Sequence, residues 1–236
     1  MFENLDPLDV AVHKDIRLQR IDGLAYARNV PSAPLSATEI GAAARHFPVV
    51  FPDAEPFLPV ALMSLKPGEN AFIGPDGEWL ADYVPAHIRR YPFILGSTGD
   101  TDRFAIMIAR DAPHISLDHG ERLYDDDGEM TDVLTKAMEF LKTFHQETVA
   151  TSEMIKPLID KNMLIEKTYT VTREDGKQAS YNGLRVVDAE RIQTLDDATL
   201  AAWVRSGLMG LIYAHLNSID NIRRLANLQQ VVGTNE

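Results

Sequence analysis

The stretch Leu164-Ile165-Glu166-Lys167-Thr168-Tyr169-Thr170-Val171-Thr172, then Glu174-Asp175-Gly176, then Ala179-Ser180-Tyr181-Asn182-Gly183-Leu184-Arg185-Val186-Val187, decides the fold class. Both runs are rich in β-branched and aromatic residues. The Asp-Gly pair between them supplies a turn, so the sequence predicts an antiparallel hairpin. Just upstream the period changes. Leu134, Met138, Leu141 and His145 fall at i, i+4, i+7 and i+11, and Ala137, Phe140 and Phe144 widen the stripe. This predicts a long amphipathic helix over about 132–148. A second helix is expected over 152–162, another over 196–206 around Ala201, Ala202 and Trp203, and a last over 218–230, with 231–236 a frayed tail. Gly207 to Leu216 reads as a buried strand or a helix start; Ile212-Tyr213 favours the strand, and periodicity does not separate the two over so short an apolar run.

Working outward, the middle of the chain has another character. Ten of the 13 prolines lie between Pro31 and Pro92, and eight of the 18 aromatics between Phe47 and Phe93. Proline at that density forbids long helices and central strands, so short strands joined by tight turns are expected. The candidates are Val49–Phe51, Pro59–Leu65, Ala71–Ile73, Phe93–Leu95 and Phe104–Ala109, with Asp76-Gly77 as a hairpin turn. A helix is expected over 34–45, with Ser36 or Thr38 as N-cap and Glu39 in the first turn. A short one is expected over 85–90, closed by Pro92. Residues 13–28 alternate loosely, enough for two short strands. There is no repeat and no linker. Strands and helices mix without regular βα alternation, which implies an α+β fold: a mixed, largely antiparallel sheet packed against helices, in a single domain over 1–230.

Composition removes several functions. The net charge is -12 over 236 residues, with a pI near 5.0, which argues against a nucleic-acid or anionic-membrane surface. With no cysteine there is no disulfide, thiol nucleophile, Fe–S cluster or Cys-ligated zinc. No apolar run approaches the ~20 residues of a membrane span, and the first residues lack the basic and apolar regions of a signal peptide. The expectation is a cytoplasmic protein. Signatures of serine hydrolases, P-loop proteins, dinucleotide binders and zincins are all missing.

Two blocks carry a resemblance. One runs from His13 through Phe47-Pro48-Val49-Val50-Phe51, Asn70-Ala71-Phe72 and Gly77-Glu78-Trp79 to Tyr83-Val84-Pro85-Ala86-His87-Ile88-Arg89-Arg90-Tyr91-Pro92-Phe93. The other joins Tyr181-Asn182-Gly183-Leu184-Arg185-Val186-Val187-Asp188 to Gly207-Leu208 and Ile212-Tyr213-Ala214-His215-Leu216-Asn217-Ser218. Together they resemble the SapC family of bacterial proteins, most specifically through Arg-Arg-Tyr-Pro-Phe. The resemblance implies a role near surface-protein or TonB-dependent uptake pathways and supplies no catalytic residue. A transporter permease and a saposin share the name; the one needs membrane spans and the other cysteines.

Five constellations bear on chemistry. Arg89-Arg90 adjoins Tyr91, with Trp79, Tyr83 and His87 close in sequence. Guanidinium groups grip carboxylates and phosphates bidentately and stack on aromatic rings, so these five residues are the candidate ligand site. Equally, two cations at a helix C-terminus stabilise it by pairing with acids and covering rings. His145-Gln146-Glu147 with His215 fits the string of a two-histidine, one-carboxylate Fe(II) site. On a helix, however, residues two apart point about 200° apart, and the competing reading is a histidine favoured by the helix dipole. Asp125-Asp126-Asp127-Gly128 lacks the first and last ligands of a calcium loop and reads as a solvated turn, with Thr131 or Asp132 capping the next helix. His114 and His119 bracket Asp118 without a ligand spacing. Tyr213-Ala214-His215-Leu216-Asn217 reads as a buried segment whose polar groups satisfy one another or the backbone.

The leading expectation is a SapC-like accessory or binding protein. It would recognise a polypeptide or a small anionic ligand, need no cofactor, and be able to form a homo-oligomer. The alternative is a metal-dependent oxygenase or other peptide-modifying enzyme using Fe(II) held by His145, Glu147 and His215.

Overall fold

The computed structural model describes residues 1–97, 104–172 and 176–233. In chain order the elements are β1 (Leu5–Pro7), α1 (Val10–His13), β2 (Arg17–Leu18), β3 (Ser32–Pro34), α2 (Ala37–Ala43), β4 (Val49–Val50), β5 (Val60–Leu62), α3 (Ala86–Arg89), β6 (Phe93–Ser97) and β7 (Phe104–Ala109). Then follow β8 (Ile115–Ser116), β9 (Glu121–Arg122), α4 (Asp132–Asp160), β10 (Leu164–Thr172), β11 (Gln178–Val187), α5 (Ala189–Ile192), α6 (Asp197–Arg205), α7 (Leu208–Ser218) and α8 (Asn221–Gly233). The fold is α+β. Its strands are shared among four small sheets rather than one: β1-β7-β6, β8-β2-β9, β3-β5-β4 and the β10-β11 hairpin, every pair antiparallel.

The split follows from the prolines. Pro34 closes β3, Pro48 and Pro52 bracket β4, and Pro59 precedes β5, so no strand between Pro31 and Pro92 exceeds three residues. Ala71–Ile73, expected as a strand, makes only one isolated bridge, Ile73 with Trp79. The expected helices over 132–148 and 152–162 are a single helix, α4, of 29 residues. The hydroxyls in between do not break it, because they turn back onto carbonyls one turn earlier: Thr148 Oγ1 donates to Phe144 O at 2.7 Å and Thr151 Oγ1 to Glu147 O at 2.6 Å. Gly207 to Leu216 is helical. Gly207 stands at the α7 N-cap with φ +81°, a value costly for any other residue, which lets the chain reverse straight from α6. α8 runs to Gly233, so the first three residues of the expected frayed tail are helical; Thr234–Glu236 lie outside the described residues. So do Glu174 and Asp175 of the hairpin turn.

Two cores meet along α4. The larger joins Ile40, Phe47, Met63, Phe72, Ile155, Leu158, Trp203 and Ile212; the smaller joins Phe93, Ile108, Leu123, Leu134 and Leu141. Leu134 and Leu141 sit two turns apart on one face of α4, while Ile155 and Leu158 lie near its other end. The base of the hairpin closes a third cluster through Val50, Val186, Ile219 and Ile222.

Candidate functional site

α3 is one turn long. Pro85 occupies its N-cap with no side-chain cap, and Pro92 follows two residues after its C-cap. Ile88 is fully buried in the larger core and anchors it, leaving His87 half-buried, Arg89 exposed and Arg90 half-buried around the turn. The Arg90 guanidinium lies between two phenyl rings, 4.8 Å from the centroid of Phe2 and 4.8 Å from that of Phe144. Its Nη2 is 3.1 Å from His87 Nδ1, while its Nε is buried without a partner. Among the described residues no carboxylate forms an ion pair with Arg90 or Arg89. Burial pulls the Arg90 pKa down from 12.5 to about 10. Burial first, and then the Arg90 charge, holds His87 down to about 3. His87 is therefore neutral at physiological pH, with an Nδ1 lone pair that accepts from Arg90. Around them Phe2 meets His87 edge-on at 5.8 Å, and Tyr91 stacks on Tyr26 at 4.5 Å.

Arg89 faces out. Its Nε–H donates to Val84 O at 3.0 Å, and its guanidinium carbon stands 5.3 Å from the Phe140 ring centroid. Trp79 and Tyr83 turn towards the larger core instead. Trp79 Nε1–H donates to Tyr83 O at 2.9 Å, and its ring lies 6.0 Å from Phe72 and 6.1 Å from Phe47. The Tyr83 hydroxyl donates to Glu39 Oε1 at 2.7 Å. Burial and this carboxylate hold the phenol above its ordinary pKa, against the opposing influence of Arg89 alongside. The structure thus brings Arg89 and Tyr83 together, pairs His87 with Arg90, and makes Trp79 a strut for the loop.

Glu39 is the residue sequence reasoning undervalued. It is 6% exposed, and its carboxylate accepts from Ser36 N (3.1 Å), Ser36 Oγ (3.1 Å), Tyr83 Oη (2.7 Å) and Ala86 N (2.7 Å). The Ser36–Glu39 spacing, a capping-box signature, was the available signal; the two extra partners from the 83–86 loop were not visible in it. Ser36 Oγ also lies 3.3 Å from Glu147 Oε2, and Ala37 N donates to Thr151 Oγ1 at 2.8 Å.

The proposed iron ligands are not assembled. Among the described residues no three His, Asp or Glu side chains cluster as metal ligands would. His145 packs on Phe104 at 4.6 Å, whereas Glu147, two residues on and on another face of α4, meets Ser36. His215 lies in the core, where its Nδ1–H donates to Val49 O at 2.7 Å and its Nε2 accepts from Val187 N at 3.0 Å. Burial pulls its pKa down to about 4, so it is a neutral clamp between β4 and β11 with no nitrogen left for a metal. The Asp125–Asp127 turn is likewise occupied with itself: Asp125 Oδ1 accepts from Asp127 N and Glu129 N, and Arg122 pairs with Asp126 at 2.6 Å.

A family model described as SapC matches residues 8–225. The chain belongs to the SapC family. No curated protein and no solved structure matches it. The match spans α3, α4 and every residue around Arg89 and Arg90 described above except Phe2, whose ring covers Arg90. No helix among the described residues of this SapC chain is long and apolar enough to cross a membrane.

Proposed function

We propose that this SapC-family protein is a binding protein that recognises an oxyanion, carried by an acidic polypeptide segment or a small molecule, through Arg89. One observation carries the reading. The Arg89 guanidinium is exposed and held in place by Val84 O and the Phe140 ring, with no carboxylate among the described residues paired to it. A fork fixed by its Nε and a ring beneath has already lost much of its rotamer freedom, which lowers the entropy cost of accepting a carboxylate or phosphate. Arg90 sits behind it as a positive charge in a half-buried setting, where its field is less screened by solvent. The SapC resemblance directs this recognition towards surface-protein or TonB-dependent uptake pathways.

Calorimetry with inorganic phosphate, succinate and a Glu-rich hexapeptide tests the proposal and separates small anion from polypeptide. At least one should bind, more weakly as salt rises, and Arg89→Ala should weaken it about tenfold or more, the worth of one charge-assisted hydrogen bond. Unchanged binding by Arg89→Ala, or no binding of any of the three at millimolar concentration, refutes it.

A further inference from the structure

The Arg89 guanidinium is tethered to a segment that belongs to no helix or strand. Residues 83–85 precede α3, and no backbone ladder fixes the Val84 carbonyl that accepts the Arg89 Nε–H at 3.0 Å. Side chains hold it instead. On one side, Trp79 Nε1–H donates to Tyr83 O at 2.9 Å. From α2, Glu39 Oε1 accepts the Tyr83 hydroxyl and the Ala86 N–H, each at 2.7 Å, and so spans the segment on both sides of Val84. The Arg89 backbone is tied to the same segment, since its N–H donates to Pro85 O at 3.1 Å. Glu39 is itself anchored: it is 6% exposed, and its Oε2 accepts from Ser36 N and Ser36 Oγ at 3.1 Å each. One oxygen of a buried carboxylate therefore braces the loop from which both the main chain and the guanidinium of Arg89 are held. Hydrogen bonds to a carboxylate are short and strong, which suits a brace.

We infer that Glu39, acting through Tyr83, is a positioning residue for the anion-binding fork of Arg89. Glu39 sets the Val84 carbonyl, and that carbonyl sets the guanidinium. The inference rests on the anion-binding role proposed for Arg89 and adds to it a residue that touches no ligand. Two effects of Glu39 on a bound anion have opposite signs. Its negative charge repels the ligand, so by charge alone its removal strengthens binding. Its bracing restricts the fork before a ligand arrives, so by position its removal weakens binding, because rotamer freedom is then lost on binding instead. Position prevails here for two reasons. Four donors converge on the carboxylate, and their dipoles offset much of its field. The fork itself is exposed, where solvent and salt screen what remains. Arg89 commits its Nε–H to Val84 O, which leaves its Nη groups to grip a carboxylate or phosphate end-on. Released from Val84 O, the guanidinium would keep the Phe140 ring at 5.3 Å but lose a fixed direction for those groups.

The test reads the Arg89 Nε–H directly, by heteronuclear NMR of the full chain without ligand. Its exchange with water should be about tenfold slower than in the same chain unfolded in urea, the worth of one hydrogen bond. Tyr83→Phe removes the hydroxyl and leaves both Glu39 oxygens their other partners, so the chain should stay folded while most of that protection vanishes. A role of Glu39 in stability alone would not move this proton. Tyr83→Phe should also weaken binding of succinate or inorganic phosphate roughly two- to tenfold, the freedom of one side chain. Glu39→Ala should do the same or more wherever it folds. Unchanged Nε–H exchange in Tyr83→Phe overturns the inference. So does tighter anion binding by Glu39→Ala, which would show Glu39 acting by its charge alone. The exchange measurement needs no ligand, so the two readings fail in different ways. No binding by the unmodified chain refutes the role of Arg89 and that of Glu39 with it, whereas binding with unchanged exchange refutes only that of Glu39.

Discussion

Replacing Arg90 separates charge from shape. Keeping a guanidinium charged where its pKa falls from 12.5 to about 10 costs about 3 kcal/mol, at ~1.36 kcal/mol per pKa unit. The two rings at 4.8 Å return roughly 0.5–2 kcal/mol each, and the hydrogen bond to His87 about 1 more. The balance is near zero, so the charge itself stabilises little. Arg90→Met keeps the stem and a polarisable atom between Phe2 and Phe144 and removes the desolvation cost, so unfolding free energy should change by less than about 1 kcal/mol. Arg90→Lys retains the cost but exchanges the planar fork for a compact, strongly hydrated ammonium, and should lose about 2 kcal/mol. Urea unfolding followed by the fluorescence of Trp79 and Trp203 gives both values. In the Met variant the His87 pKa should also rise, because the second of the influences holding it down is gone. The reverse order, with Lys neutral and Met costing 3 kcal/mol or more, would show that the positive charge is required and would refute the reasoning.

Other consequences can be checked independently. The buried His215 has its pKa lowered from 6.5 to about 4, so the unfolded chain binds its proton first; stability is complete above about pH 6.5 and falls by about 3 kcal/mol as pH drops to 4. A melting temperature flat over that range refutes this, and His215→Phe should flatten the slope while costing about 2–5 kcal/mol through the unpaired Val49 O and Val187 N–H. Leu141→Ala, at a position 2% exposed against Phe93 and Ile108, should cost about 2–5 kcal/mol; a loss under about half a kcal/mol would make the first half of α4 peripheral. Glu39→Gln puts an amide NH2 in place of one carboxylate oxygen, and because each oxygen accepts from two donors the NH2 faces two of them in either orientation. The change should cost about 2–4 kcal/mol in urea unfolding, with no change meaning that the four contacts to Glu39 are not formed in solution.

Local signals were legible where local forces decide. The hairpin at 164–187, the capped α2 and the short α3 were expected from β-branched runs, Ser36 with Glu39, and Pro85 with Pro92. The single helix α4 was hidden because the Thr148–Ser152 stretch carries hydroxyls that favour helix ends, whereas in the fold Thr148 and Thr151 turn theirs onto preceding carbonyls and leave the backbone ladder unbroken. Gly207–Leu216 was undecidable from its pattern because α7 is apolar over most of its surface and has no polar stripe to betray a period. The arginines were found by residue type. Their partners were not, since Phe2 and Phe144 are 142 positions apart and meet only through tertiary packing, as do Glu39 and Tyr83. His145, Glu147 and His215 do not come together because a motif suited to strand ends is here carried by two helices.

The face of α4 accounts for where the arginines sit. Phe140, Phe144, Glu147 and Thr151 are spaced four, three and four residues apart, so they line one side of the helix. In order they meet Arg89, Arg90, Ser36 and the Ala37 N–H. Glu39 closes the arrangement from the other side by joining α2 to Tyr83 and to the first amide of α3. α3 is too short to hold its own geometry, because a single helical turn costs more entropy than its hydrogen bonds return. It is fixed instead by Ile88 in the larger core, by Glu39 at its start and by two phenyl rings at its end. The helix carrying those rings has its other buried faces in both cores. Arg89 therefore stands at the seam between the cores, and a ligand bound there as proposed would tighten the α3–α4 contact on which both cores border.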